Sequence, residues 1–389
     1  MVKQLKESNR LSYKFHLEQP ARVLFGCGAR KHLCDVIKPN DVTALVTGSK
    51  TLIANGTVEE IKSNLACDTV DLIQLPSCEP TITTVNDLTT KLKSVNYSKV
   101  IGLGGGSTLD SVKASSIVAR QPSSTDISDY LEGIGQGFEL TTPGPEIILL
   151  PTTAGTGSEA TKNAVIFSPE HQVKKSIRSP LLLPSFVIID PELHASCNAT
   201  ITTHSGMDAI TQCFESFISI RATEYTRTLA MAGFKLGIEN IIQAIQFPND
   251  LDARTALAHC AFNSGVSLAN SGLGVAHGLS AAFGATANLS HGAACSILLP
   301  FAAKLNQKYC NESYCQLATA IGIRTADQLT AHIRNLCDLL QVPSKLADVG
   351  LTADALPKIV ERSYGNSMSG NPFRPEPGKL AAELITFFG

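Results

Sequence analysis

The sequence predicts a two-domain protein, an α/β domain over residues 1–190 followed by an all-α domain over residues 191–389. Three observations lead there. A chain of 389 residues is longer than one hydrophobic core normally organises. Its first half alternates short apolar runs with helical stretches, which implies parallel strands joined by crossover helices. After Asp190-Pro191 the strand-like runs stop and helical spacing takes over.

In the first half, Thr43–Thr47, Thr69–Leu75, Lys99–Leu103, Glu146–Leu150 and Phe186–Ile189 read as buried strands, because they are short and rich in β-branched residues. Arg22–Phe25 reads as an additional strand ahead of the first unit. Val85–Ser94 and Thr108–Arg120 are helical stretches between strands. In the second half, Met207–Ile220, Tyr225–Gln246, Asp252–Asn270, Ala326–Leu340 and Pro377–Phe387 carry helical spacing. Val266–Leu289 is rich in Ala, Gly and Ser, which suits closely packed helices or backbone lying next to a ligand.

Composition narrows the function classes. Hydrophobic residues at 43% against 17% charged is an ordinary globular balance, so long disordered stretches are not expected. A net charge of -2 without a block of like charges offers no basic stripe for nucleic acid. No apolar run reaches the roughly 20 residues that span a bilayer. The opening segment Met1–Phe15 is polar and lacks the apolar centre of a secretory signal, so a cytoplasmic location is the expectation. The 11 cysteines are scattered and form no CxxC pair. They read as reduced thiols packed as small hydrophobes, and a cysteine-type zinc site is not expected.

Two loops carry the chemistry of the first domain. Gly102-Leu-Gly-Gly-Gly-Ser107 overlaps the end of a strand and runs into a helix near Thr108. Glycines there let the backbone turn tightly and approach an anion, and the helix N-terminus offers free N–H groups to a pyrophosphate. The spacing is not the GxGxxG of the usual Rossmann fingerprint. Asp110 and Lys113 lie one turn apart on the following helix. They read either as a surface ion pair worth on the order of 0.3–0.5 kcal/mol, or with Asp110 as a buttress of the glycine turn. The second loop, Leu150-Pro-Thr-Thr-Ala-Gly-Thr-Gly-Ser-Glu159, again follows a strand and presents a dense set of hydroxyls and backbone amides suited to a nucleotide.

With these motifs in hand, the chain resembles the iron-containing (group III) alcohol dehydrogenase family over almost its whole length. The markers are Gly104–Lys113, Pro151–Glu159, Lys174 ahead of Ser179–Pro184, Ile189–Leu193, Gly206–Ile210, and His277 and His291 followed by Gly292 and Leu298-Leu-Pro300. The resemblance implies a dehydroquinate synthase-like architecture: an N-terminal α/β dinucleotide-binding domain, a C-terminal helical domain, and cofactor and divalent metal in the cleft between them. It implies that Gly105, Gly106 and Ser107 hold the pyrophosphate, that Thr152, Thr153, Thr156 and Ser158 line the nucleotide, and that Lys174 reaches the ribose. It also implies a homodimer.

The family's metal ligands map onto Asp208, His277 and His291, but the fourth position, normally His, is Gln212. Residues i and i+4 share a helix face, so Asp208 and Gln212 still point the same way. An amide oxygen is a weaker ligand than imidazole for iron or zinc. Three arrangements follow, in this order: three protein ligands with an open position, as in many catalytic zinc sites; a weaker site completed by Gln212; or loss of the metal. Weaker iron binding favours zinc. Many family members carry a further histidine, linked to proton transfer, four residues after His277; here it is Ala281. His204, just ahead of Asp208, is a candidate for the missing imidazole.

The chemistry implied is reversible hydride transfer between an alcohol and its aldehyde or ketone, with NADP or NAD and one divalent ion (Zn or Fe). NAD-preferring relatives often carry an acidic residue after the first strand. Here Gly48 stands in that segment, followed by Ser49 and Lys50, which favours NADP(H) or dual use. Two other readings remain. One is a reductase of an acidic carbonyl compound, an oxo acid or phosphonate aldehyde, with Arg178 or Arg374 as its counter-charge. The other is a nucleotide-binding protein whose metal site is lost.

Overall fold

The computed structural model describes residues 15–364 and 366–388, so most of the polar opening segment lies outside the described residues. Its strands are β1 Val23–Phe25, β2 Val42–Thr47, β3 Thr69–Gln74, β4 Lys99–Gly104, β5 Glu146–Pro151, β6 Asn163–Ser168, β7 Val173–Arg178 and β8 Phe186–Ile189. Six of them form one sheet in the order β1-β8-β5-β4-β2-β3, every pair parallel. All six strands expected from the sequence are in it, within a residue or so of the expected ends. The chain passes from β2 to β3 on one side and then to β4 on the other. The crevice at the carboxyl ends of β2 and β4 is therefore the topological switch point, where ligands of open α/β sheets sit.

The principal helices are α1 Ile82–Ser94, α2 Gly106–Val118, α3 Ala199–Ile218, α4 Glu224–Gln246, α5 Leu251–Ser271, α6 Val275–Ala287 and α7 His291–Asn306, with further helices following to Phe388. Their starts are chemically specified. Side-chain oxygens of Thr81, Asn198, Thr223, Asp250 and Ser290 accept backbone N–H bonds from the first turns of α1, α3, α4, α5 and α7. No strand follows β8 among the described residues. No helix among them is long and apolar enough to cross a membrane.

Three differences from expectation have physical causes. The antiparallel β6–β7 hairpin is unpredicted: β7, Val-Lys-Lys-Ser-Ile-Arg, is too polar to read as a strand and pairs outside the main sheet. Helices α6 and α7 are unpredicted because small residues blur their periodicity and α7 carries Pro300 in its interior. Helix α2 begins at Gly106, two residues before the expected start, and is enclosed from Leu109 and Ser111 to Val118. The domains meet closely where Gly157 faces Gly265 of α5. A Cβ on Gly157 would lie 2.4 Å from the Gly265 Cα, so neither position tolerates a side chain.

Candidate active site

At the sheet end of the cleft, the two loops read from the sequence lie against each other. Gly105 is the N-cap of α2, and Gly106 and Ser107 form its first turn, where unpaired N–H groups and the helix dipole favour an anion. A Cβ on Gly106 would sit 2.6 Å from Thr156 Oγ1, and one on Gly105 3.2 Å from Thr153 Oγ1. At the switch point, Thr108 Oγ1 occupies the space a Cβ would need on Gly104 (2.5 Å) and on Gly48 (2.8 Å). Thr152 is buried, and its backbone N–H donates to Gly104 O at 3.0 Å, tying the end of β5 to β4.

Asp110 and Lys113 are not a surface pair. Lys113 is fully buried. Its Nζ donates to Ser158 O (2.7 Å), Asn163 O (2.5 Å) and Thr161 Oγ1 (3.2 Å), and stands 3.2 Å from Asp110 Oδ1. Asp110 accepts from Ser158 Oγ (2.5 Å) and from Val165 N (2.9 Å). This pair fastens α2 to the second loop and the β6–β7 hairpin. Burial pushes the Lys113 ammonium down, and pushes the neighbouring Glu159 carboxyl up to about 7.

At the helical end, Asp208 (α3), His277 (α6), His291 and Cys295 (both α7) place one donor atom each within 4.8 Å of one another. His277 Nε2 is 3.1 Å and His291 Nε2 3.7 Å from Asp208 Oδ1. Cys295 Sγ is 3.6 Å from His291 Nε2. Burial alone would raise Asp208 and lower both imidazoles. Their attraction outweighs it: Asp208 sits below the usual carboxyl range, and His277 and His291, facing Cys295 and Asp208, sit above theirs. Donors of this type, buried and convergent, fit a divalent ion.

The outer hydrogen bonds aim these rings. Glu215, two turns after Asp208 on α3 and fully buried, accepts from His277 Nδ1 at 2.7 Å and from Ala276 N at 2.6 Å. A proton is thereby held on Nδ1, which leaves Nε2, turned to the cluster, as the nitrogen that would give up its proton to a bound ion. Ser280 Oγ donates to His277 O at 3.0 Å, so towards His291 Nδ1, at 3.3 Å, it acts as acceptor, and His291 Nε2 is left to the ion in the same sense. Sequence reasoning missed Glu215, Ser280 and Cys295. The sequence reading argued against a Cys-type zinc site from the absence of CxxC spacing; the fold sets Cys295 beside the three other donors, one helical turn after His291, a proximity that such spacing does not reveal.

One cavity joins the two ends. Its wall includes Gly106, Ser107, Thr156, Ser158, Lys174, Asp208, Gln212, His277 and His291. Gly48, Gly105, Thr152 and Thr153 are not on that wall. Lys174 reaches it from β7, with Nζ 2.5 Å from Glu79 Oε1. Gln212 is held through its amide, Oε1 lying 2.6 Å from Ser264 Oγ. His204 is outside the donor cluster and does not line the cavity; its Nδ1 is 3.1 Å from Ser290 Oγ. Ala281 is exposed and provides no proton donor. Neither Arg178, paired with Glu132 at 2.7 Å, nor exposed Arg374 lines the cavity, so neither provides the counter-charge considered for an acidic substrate.

A parallel sheet with an anion-binding helix end at its switch point, sharing a cleft with a buried Asp/His donor set, defines a two-domain nucleotide-dependent oxidoreductase. Comparison with known proteins gives the family. Residues 20–191 match the iron-containing alcohol dehydrogenase family, and residues 202–382 match its C-terminal domain. The chain is 31% identical over 314 residues to a 1,3-propanediol dehydrogenase of Klebsiella pneumoniae, covering 78% of this chain and 79% of that one. It is 28% identical over 356 residues to an NAD-dependent methanol dehydrogenase of Bacillus methanolicus, covering 89% and 92%. The solved structure of sulfoacetaldehyde reductase from Bifidobacterium kashiwanohense in complex with NAD+ superposes with a TM-score of 0.86 at 25% identity, over 97% of this chain and 99% of that one. The chain belongs to the iron-containing alcohol dehydrogenase family and is an oxidoreductase acting on CH–OH donors.

Proposed function

We propose that the chain interconverts a small uncharged alcohol and its aldehyde or ketone, using NADP(H) or both nicotinamide nucleotides and one divalent ion held by Asp208, His277 and His291. The observation that carries this reading is the single cavity whose wall holds both the α2 N-terminus and those three donors. When bound, the ion supplies a Lewis acid and the nicotinamide the hydride. The N–H groups of Gly106 and Ser107 orient the pyrophosphate, and Glu215 and Ser280 keep both Nε2 lone pairs pointed inward. Val165, Phe167, Leu268 and Leu273 give the cavity apolar wall, which keeps water from the reacting carbon.

An uncharged substrate follows from the charge on that wall. Its one lysine, Lys174, is neutralised by Glu79, and no arginine reaches it among the described residues. NADP(H) use is supported by the end of β2. Gly48 brings no carboxylate, and exposed Lys50 begins the helix Lys50–Ala54, so an ammonium and a helix N-terminus coincide where a 2′-phosphate would lie. The test is kcat/KM with NADPH and NADH on a panel of neutral and anionic aldehydes, with the metal removed by a strong chelator and restored. Full activity in metal-free protein overturns the metal-assisted reading. Near-zero metal content with nucleotide still bound favours the binding-protein reading, and a preference for anionic aldehydes favours the acidic one.

A further inference from the structure

We propose that Cys295 is the fourth metal ligand of this chain, standing in from α7 for the imidazole that position 212 lacks, and that this thiolate makes the resident ion zinc in preference to iron. The inference rests on the proposed metal site and adds a ligand to it. Four features carry it. Cys295 is completely buried and projects from α7 one turn after His291, so the two side chains share a helix face. Its Sγ lies 3.6 Å from His291 Nε2, while Asp208 Oδ1 lies 3.1 Å from His277 Nε2 and 3.7 Å from His291 Nε2. A tetrahedron with bonds of about 2.0–2.1 Å to N and O and about 2.3 Å to S has edges of about 3.3 Å and about 3.6 Å, respectively. These three of the six separations match a four-coordinate zinc cradle, and the other three lie within 4.8 Å.

The third feature is Gln212. It lines the same cavity, but its amide is anchored at Ser264, and a neutral amide oxygen competes poorly with a thiolate for zinc. The fourth is charge. Asp208 and a Cys295 thiolate together contribute two negative charges and the imidazoles none, so the ligand set itself matches the charge of a divalent ion, with the Glu215 carboxylate outside it. Thiolate softness selects zinc over iron(II) at such a donor set.

The experiment uses the full-length protein stripped of metal and reloaded with cobalt(II) or zinc. Cobalt-loaded wild type is expected to show a near-ultraviolet sulfur-to-cobalt charge-transfer band that Cys295→Ser lacks. Cobalt d–d bands should persist in the variant, because Asp208, His277 and His291 remain. Competition with a chromophoric chelator should show zinc affinity falling in the variant by more than the about 10–100-fold typical of losing an outer partner. X-ray absorption at the zinc edge of wild type, which needs no variant, should show one sulfur at about 2.3 Å. Cobalt or zinc bound with nitrogen and oxygen neighbours alone overturns the Cys295 assignment and leaves the three-ligand site standing. Failure to bind either ion overturns the metal site itself.

Discussion

Replacing Glu215 by Gln preserves shape and helix position but reverses the sense of one hydrogen bond. In the native site the carboxylate only accepts: from Ala276 N at 2.6 Å, His277 N at 3.3 Å and His277 Nδ1 at 2.7 Å. An amide has one oxygen and one NH₂ group. Its oxygen is needed by the Ala276 N–H at the start of α6, so its N–H groups face His277 Nδ1 and drive the imidazole proton to Nε2. A protonated Nε2 cannot ligate a metal. The expected loss is about 10–100-fold in metal affinity, or about 1.4–2.7 kcal/mol. Glu215→Ala differs in kind: it strips the acceptor from three buried N–H groups at about 1–3 kcal/mol each, so the fold itself should weaken. The assay is zinc titration against a chromophoric chelator at fixed pH, paired with urea unfolding of the metal-free proteins. A Glu215→Gln variant that binds zinc as tightly as wild type, with His277 still protonated on Nδ1 by nitrogen NMR, would refute the tautomer argument.

Lys113→Met should cost about 3–5 kcal/mol in urea unfolding, because it takes the ammonium from part-buried Asp110 and leaves the buried Ser158 O and Thr161 Oγ1 without their donor; a loss below about 1 kcal/mol would contradict this, since that is the worth of an exposed pair. Buried His194 is held at about 4 against an ordinary 6.5, first by burial, so the native state keeps it neutral while the unfolded chain takes the proton. Its contribution is therefore present above pH 6.5 and lost as pH falls towards about 4, up to about 3 kcal/mol. His194→Gln should flatten that part of the pH profile of the urea midpoint; an unchanged slope would remove the assignment. Gly157→Ala forces a side chain onto φ +61 with Cβ 2.4 Å from the Gly265 backbone. It should cost about 2 kcal/mol or more, seen as a lowered midpoint, and a neutral effect would show that the two domains part easily there.

What the sequence by itself determined was local. The sheet strands are short apolar runs whose period shows in a few residues, and all six were legible. The glycine turn and the Thr-rich loop were legible because strand, loop and helix start are contiguous. Asp208, His277 and His291 stood out through the resemblance. Only the tertiary structure decided the rest, because burial and convergence are not local properties. Lys113 looks solvated until the second loop and the β6–β7 hairpin close over α2. Cys295 looks like one more packed thiol until α3, α6 and α7 bring donors from residues 208, 277 and 291 to within 4.8 Å of it. Charged and metal-binding groups depend on what surrounds them from several elements at once, and that environment exists only after the chain has folded.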